Sequence, residues 1–179
     1  MTLKGRFLVA VIIGISFLTI TETGYASQRG EKTFGIRTGY VSRNKSADLG
    51  LYFQYTFSKY FRLQPAVDLV FRHEDRDAFT VDINGQVPID FSSDKFSLYP
   101  YAGINYSSWN RHHVLISEEP APDVFTSEES SRSNYFGVNL GAGFDLRLSS
   151  TLKLSLEAGY TFVKSNSGVR ILAGIGYVF

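Results

Sequence analysis

The residues best suited to proton transfer near neutral pH are three histidines, His73, His112 and His113. Two of them are adjacent and stand close to Ser107, Ser108 and Glu118. Those types could form a hydroxyl nucleophile, a base and an orienting carboxylate for acyl chemistry on a lipid. The sequence lacks a His-x-Ser pair on a strand face, so a lipid-modifying enzyme is the minor reading and no catalytic residue is assigned. Two neighbouring histidines without a third ligand make a poor zinc site. With no cysteine in the chain, disulfides and thiolate metal centres are excluded. No cofactor or metal is expected. A formal charge of +1 gives no global field for nucleic acid.

A second set of residues could move or hold charge. Arg37, Arg62, Asp68, Arg72, Asp82, Asp145, Arg147, Lys153, Glu157 and Arg170 occupy positions that alternate with apolar ones. Both signs share one face, so they predict either a salt-bridged plug or, as the alternative, a narrow ion path along the network. The plug is the favoured reading, because eight strands enclose just enough room for side chains.

A third candidate is the stretch from about 110 to 134. It carries Glu118, Glu119, Asp123, Glu128 and Glu129 with Pro120 and Pro122, and two apolar runs, Val114-Leu115-Ile116 and Val124-Phe125. A segment this long is a surface-contact candidate through Val114, Leu115, Ile116, Glu118, Glu119 and Phe125. The bland alternative is a surface loop whose apolar runs continue the flanking strands. Arg72 to Asp77, with alternating charges, could meet phosphate groups or bridging cations, or be a solvated turn.

The elements that must position these residues are strands. Apolar residues recur at every second position in Phe34–Tyr40, Leu49–Phe57, Phe61–Phe71, Phe79–Phe91, Phe96–Tyr106, Phe136–Leu148, Leu152–Phe162 and Val169–Phe179, eight sets in all. A soluble barrel or sandwich would alternate too, with its apolar face inward. Three features favour a membrane barrel instead. The runs are about eleven to fifteen residues long, against roughly five or six in soluble sheets and about nine to eleven for a tilted membrane strand. Aromatics, 15% of the chain, sort by height. Phe34, Phe57, Tyr60, Phe61, Phe91, Phe96, Tyr177 and Phe179 fall at one rim, and Tyr40, Phe71, Phe79, Tyr106, Trp109, Tyr135 and Phe136 near the other. Short turns at one rim (58–59, 92–95, 149–150) face longer, charged loops at the other, the pattern of an outer-membrane barrel with its short side periplasmic. Asn84-Gly85 would suit a hairpin, but parity runs through it, so Gly85 is read as a bend or bulge within one strand.

The start of the chain reads as an export signal. Lys4 and Arg6 precede fourteen apolar or small residues, Phe7 to Ile20, and Gly24-Tyr25-Ala26 offers a cleavage site. Fourteen helical residues rise only about 21 Å, short of a roughly 30 Å hydrocarbon core. Residues 1–26 are thus expected to be removed, leaving 27–179 as the barrel domain.

The chain closes on Gly174-Ile175-Gly176-Tyr177-Val178-Phe179, and holds Tyr99-Pro100-Tyr101-Ala102-Gly103-Ile104-Asn105-Tyr106 and Asn139-Leu140-Gly141-Ala142-Gly143-Phe144. With these, residues 31–179 resemble the small porin-family, outer-membrane protein β-barrel group of Gram-negative bacteria. The architecture is similar to outer-membrane protein X and the barrel domain of outer-membrane protein A. The resemblance implies an all-β, eight-stranded antiparallel up-and-down transmembrane β-barrel in the outer membrane. It further implies Tyr177 and Phe179 as a signal read by the β-barrel assembly machinery. Expected partners are outer-membrane lipids, lipopolysaccharide and an unknown surface molecule, around a monomer. The expected role is structural or surface-interacting, with a low-conductance channel as the alternative.

Overall fold

The computed structural model describes residues 29–73, 76–91, 95–115, 127–164 and 167–179, with backbone alone for 112–115 and 127–130. The strands are β1 (Lys32–Val41), β2 (Ser46–Ser58), β3 (Phe61–His73), β4 (Arg76–Gln86), β5 (Ile89–Asp90), β6 (Phe96–Leu115), β7 (Ser127–Arg147), β8 (Leu152–Val163) and β9 (Gly168–Val178). Every pairing is antiparallel. β1 joins β9, and β4 joins β6, so the sheet closes on itself. Closure gives each strand two neighbours and abolishes the open edges that a hydrocarbon environment cannot hydrate.

β5 pairs only with β6, through Ile89 opposite Leu98, directly below the β4–β6 ladder. It is therefore the lower end of the same wall as β4, and the barrel has eight walls. The interruption corrects the sequence reading in its detail. Gly85 is in regular register between Leu63 and Ala102, and the ladder breaks at Val87-Pro88 instead. Pro88 has no N–H to donate, whereas a glycine in a strand keeps its donor.

Side-chain sorting is the reverse of a soluble protein. Outward positions carry Phe136 (80% exposed), Ile104 (61%) and Leu69 (57%), while inward positions carry Arg62 and Asp48 at 0%. A row of register partners, Ile175, Ile36, Leu51, Val67 and Val81, crosses five walls without a polar side chain. That outward surface suits hydrocarbon and not water. Three aromatics, Trp109, Tyr135 and Phe96, depart from the expected outward belt. Trp109 shares the inward parity of Asn105 and Ser107, and is buried with Val41, Val70 and Ala78 at the upper, loop-side rim, where Tyr135 packs on the cluster. Phe96 is covered by stacking on Phe144, with ring centres 5.6 Å apart.

The expected long loop is mostly strand. β6 and β7 stay paired from Asn110↔Arg132 up to Leu115↔Ser127, so a ribbon stands above the other walls. Residues 116–126, and the signal segment 1–26, lie outside the described residues.

Three inward tyrosines, Tyr52, Tyr99 and Tyr101, were not singled out by sequence. Their rings lie over glycines directly opposite them on the neighbouring strands, Tyr52 on Gly35, Tyr101 on Gly141 and Tyr99 on Gly143. A Cβ on Gly141 would stand 2.6 Å from Tyr101 Cζ, and one on Gly35 2.6 Å from Tyr52 Cζ. These two glycines are required by close approach. Gly141→Val is expected to lower the free energy of unfolding by about 1–3 kcal/mol, as overpacking does. Urea unfolding of the refolded barrel measures it, and an unchanged midpoint would contradict the tight fit.

Candidate functional site

The barrel interior is the largest polar assembly in the molecule. Its upper tier is built on Arg37 (β1) and Arg170 (β9). Arg37 donates to Asp68 through Nε at 2.7 Å and Nη2 at 2.6 Å, and to Asp82 at 3.0 Å. Arg170 reaches Asp82 and Asp48, both at 2.7 Å, and Asp68 at 2.9 Å. Asn105 and Asn139 donate to the other Asp82 oxygen at 2.6 and 2.8 Å. Buried carboxylates on β2, β3 and β4 are thus matched by guanidinium groups projecting from β1 and β9.

The middle tier centres on Glu157. Its Oε1 accepts from Gln64 at 2.8 Å, Tyr99 Oη at 3.0 Å and Gln86 at 3.4 Å, and Oε2 lies 3.7 Å from Arg37 Nη1. In the lower tier Arg62 crosses the lumen from β3 to β7. It binds Gln86 and Asp145, each at 2.6 Å, while its guanidinium lies 4.7 Å from the Tyr99 ring centre. Lys153 donates to Gln54 at 2.6 Å and lies 3.6 Å from Asp145. Arg147 and Lys153 face each other across β7 and β8, and Glu31 pairs with both. Buried charges demand this degree of pairing, since removing one partner strands the other. The void lined by Arg37, Asp82, Asn139, Glu157 and Arg170 has a volume of about 10 Å³, at the lower limit for a single water.

Nine of the ten charges expected inside are buried there: Arg37, Arg62, Asp68, Asp82, Asp145, Arg147, Lys153, Glu157 and Arg170. Arg72 is the correction. Between Val70↔Ala78 and His73↔Arg76, two residues of β3 oppose the single Asp77 of β4. This bulge turns Arg72 outward, where it is exposed. Sequence reasoning left out Asp48, assigned to a loop, and Glu31 and Gln86. Parity with Gly50, Tyr52 and Gln54 was the available signal for Asp48.

Arg72 joins an outward polar row at the upper rim. Asn110 donates to Asp77 at 3.1 Å, and Arg132 donates to Asn110 at 3.0 Å. Together with Leu69, Phe71 and Phe79 they line an open groove of about 500 Å³. The histidine candidates are not assembled. His73 is exposed at the end of β3, Ser107 is buried inward, and Ser108 faces outward opposite Phe79. His112, His113, Val114 and Leu115 lie on the β6 ribbon with only their backbone described, and Ile116, Glu118, Glu119 and Phe125 lie outside the described residues. Tyr177 and Phe179 are exposed at the lower rim, with ring centres 6.2 Å apart.

The family model described as outer membrane protein beta-barrel domain matches residues 2–179. No curated protein matches the sequence. Among solved structures, the N-terminal β-barrel domain of Pseudomonas aeruginosa OprF is similar at a TM-score of 0.59 and 12% identity, over 86% of this chain and 100% of that one. Neisserial surface protein A (NspA) gives 0.62 and 13%, over 83% and 96%. Ail, the attachment invasion locus protein of Yersinia pestis, gives 0.57 and 15%, over 85% and 100%. At such identities the likeness establishes the fold.

Proposed function

This chain belongs to the outer membrane protein β-barrel domain family, and on that footing we propose that it is an integral, monomeric outer-membrane protein with a sealed interior, acting in contact at the cell surface through the β6–β7 ribbon. The observation that carries the reading is the pairing of the interior. Arg37, Arg62 and Arg170 each bridge walls remote in sequence, and the void beside Arg37 and Arg170 has room for about one water. A narrow ion path would need a wider lumen. The short turns set the lower rim in the periplasm, which directs the ribbon outward. Its paired backbone reaches beyond the other walls, to Leu115 opposite Ser127. Two structurally similar proteins bear names of surface or attachment proteins, which agrees with a role at the same face. The outward groove beside Arg72 and Arg132 suits the phosphate level of lipopolysaccharide. Tyr177 and Phe179 suit a periplasmic assembly signal.

Replacing residues 111–131 with a two-residue turn is expected to leave a folded barrel, because the truncated walls still pair from Tyr101 to Asn110. Adhesion of intact cells to surfaces or envelope partners should fall to the level of a strain lacking the gene. Adhesion that survives the trimming would remove the ribbon from the function. Planar-bilayer recordings of the intact protein should show no stable unitary conductance. A conductance that disappears on changing Arg62 or Glu157 would establish the channel instead.

A further inference from the structure

The upper mouth of the barrel holds buried donors without acceptors. The turn between Val41 and Ser46 folds across it and is fastened on both sides. Asn44 Nδ2 donates to the Arg76 carbonyl at 3.0 Å, and Val169 N donates to Ser42 Oγ at 2.8 Å. This fixes the Arg43 guanidinium over the Trp109 ring, 5.0 Å from its centre. Nε and Nη1 of Arg43 and Nε1 of Trp109 are all buried and meet no acceptor. Burial, with Arg170 behind it, pushes the Arg43 guanidinium down to about 10, the direction of a cation short of counter-charge.

One step outward on the same face, Arg76 and Arg111 stand directly opposite each other on β4 and β6. Like charges in facing register are unfavourable. The other end of the barrel meets the same problem with Arg147 opposite Lys153, and there Glu31 lies between them. In the middle tier, the unbonded Arg37 Nη1 at least lies 3.7 Å from the unbonded Glu157 Oε2. At the mouth, no carboxylate of the described residues forms an ion pair with Arg43, Arg76 or Arg111, and the attraction of Asp82 offsets only part of the cost of burying Arg43.

We propose that the mouth is a binding site for a small oxyanion, a phosphate, sulfate or carboxylate group, held by the Arg43 and Trp109 N–H groups and drawn in by Arg76 and Arg111. Three N–H donors and two further cations suit a group with several acceptor oxygens and full negative charge. The orientation argued above makes the external medium its source. The site itself does not depend on what the ribbon contacts.

Trp109 is the only tryptophan of the chain, so its fluorescence reports on the site without a label. The refolded full-length barrel is titrated with sodium phosphate, sodium sulfate and sodium acetate, against sodium chloride at equal ionic strength. A saturable change with an oxyanion and none with chloride is expected, and the acetate arm separates carboxylate from phosphate or sulfate. Arg43→Gln should raise the half-saturation concentration at least about tenfold, the scale of one lost charge-assisted hydrogen bond. Arg111→Gln, farther from the ring, should raise it severalfold and decides the matter if the Arg43 variant does not fold. Equal responses to chloride and oxyanions, no response at all, or unchanged half-saturation in the folded variants would overturn the proposal. Since none of these readings involves adhesion, they fail or succeed separately from the ribbon trimming.

Discussion

Arg170→Met is expected to destabilise the barrel by about 3–5 kcal/mol, the scale on which breaking a buried ion pair is felt. Arg170 is the sole partner of Asp48 in the described ion pairs and one of two guanidinium groups on Asp68 and Asp82. Without it, Arg37 faces those two aspartates alone, and Asp48 loses its guanidinium partner. Adding Asp48→Asn to the variant should recover part of the loss, because an amide leaves no stranded charge. Urea unfolding of the refolded protein in lipid vesicles measures both. A loss below about 0.5 kcal/mol for Arg170→Met, the range of an ordinary surface substitution, would mean that the cluster is hydrated and the plug does not exist.

Leu51→Arg carries the second large effect. Leu51 is 45% exposed, and lies between Ile36 and Val67 near the middle of β2. On a soluble protein, an arginine at such an exposed position would shift stability by no more than about 0.5 kcal/mol. On a barrel face turned to hydrocarbon near the bilayer midplane it costs about 2–4 kcal/mol. Comparing it with Tyr40→Arg, outward near the loop-side end of β1, should show the penalty fall with distance from the midplane. A flat profile at both depths would place that face in water.

What the chain discloses before folding follows from period two. Alternation alone puts Arg37, Asp68, Asp82, Glu157 and Arg170 on one face, and which face is inside follows from strand length, aromatic height and turn asymmetry. Where the period slips, sequence loses the side chain. Arg72 keeps the inward parity of Val70 until the bulge opposite Asp77 reverses it, and a bulge without a glycine leaves no mark in the sequence. Trp109 was assigned by height to the belt, although its parity with Asn105 and Ser107 already turned it inward. At Asn84-Gly85 turn chemistry raises a false alarm, and the real interruption comes three residues after Gly85, at Pro88. The tyrosines over Gly35 and Gly141 depend on register, since each stands directly opposite its glycine on the neighbouring strand, and period two does not say which residue opposes which. The mouth has the same character, because Arg43 meets Trp109, and Asn44 the Arg76 carbonyl, only when the β1–β2 turn folds over.

The paired interior charges and the apolar exterior belong to one physical arrangement. Charges that would be prohibitive against lipid are matched in pairs within a closed wall, while the wall spends its apolar residues outward. The most direct measurement of that arrangement is fractionation of cells, followed by electrophoresis of the protein with and without boiling. It should be recovered with the outer membrane and migrate differently unboiled, as a compact barrel that resists detergent. Recovery as a soluble periplasmic protein, with the same mobility before and after heating, would contradict it.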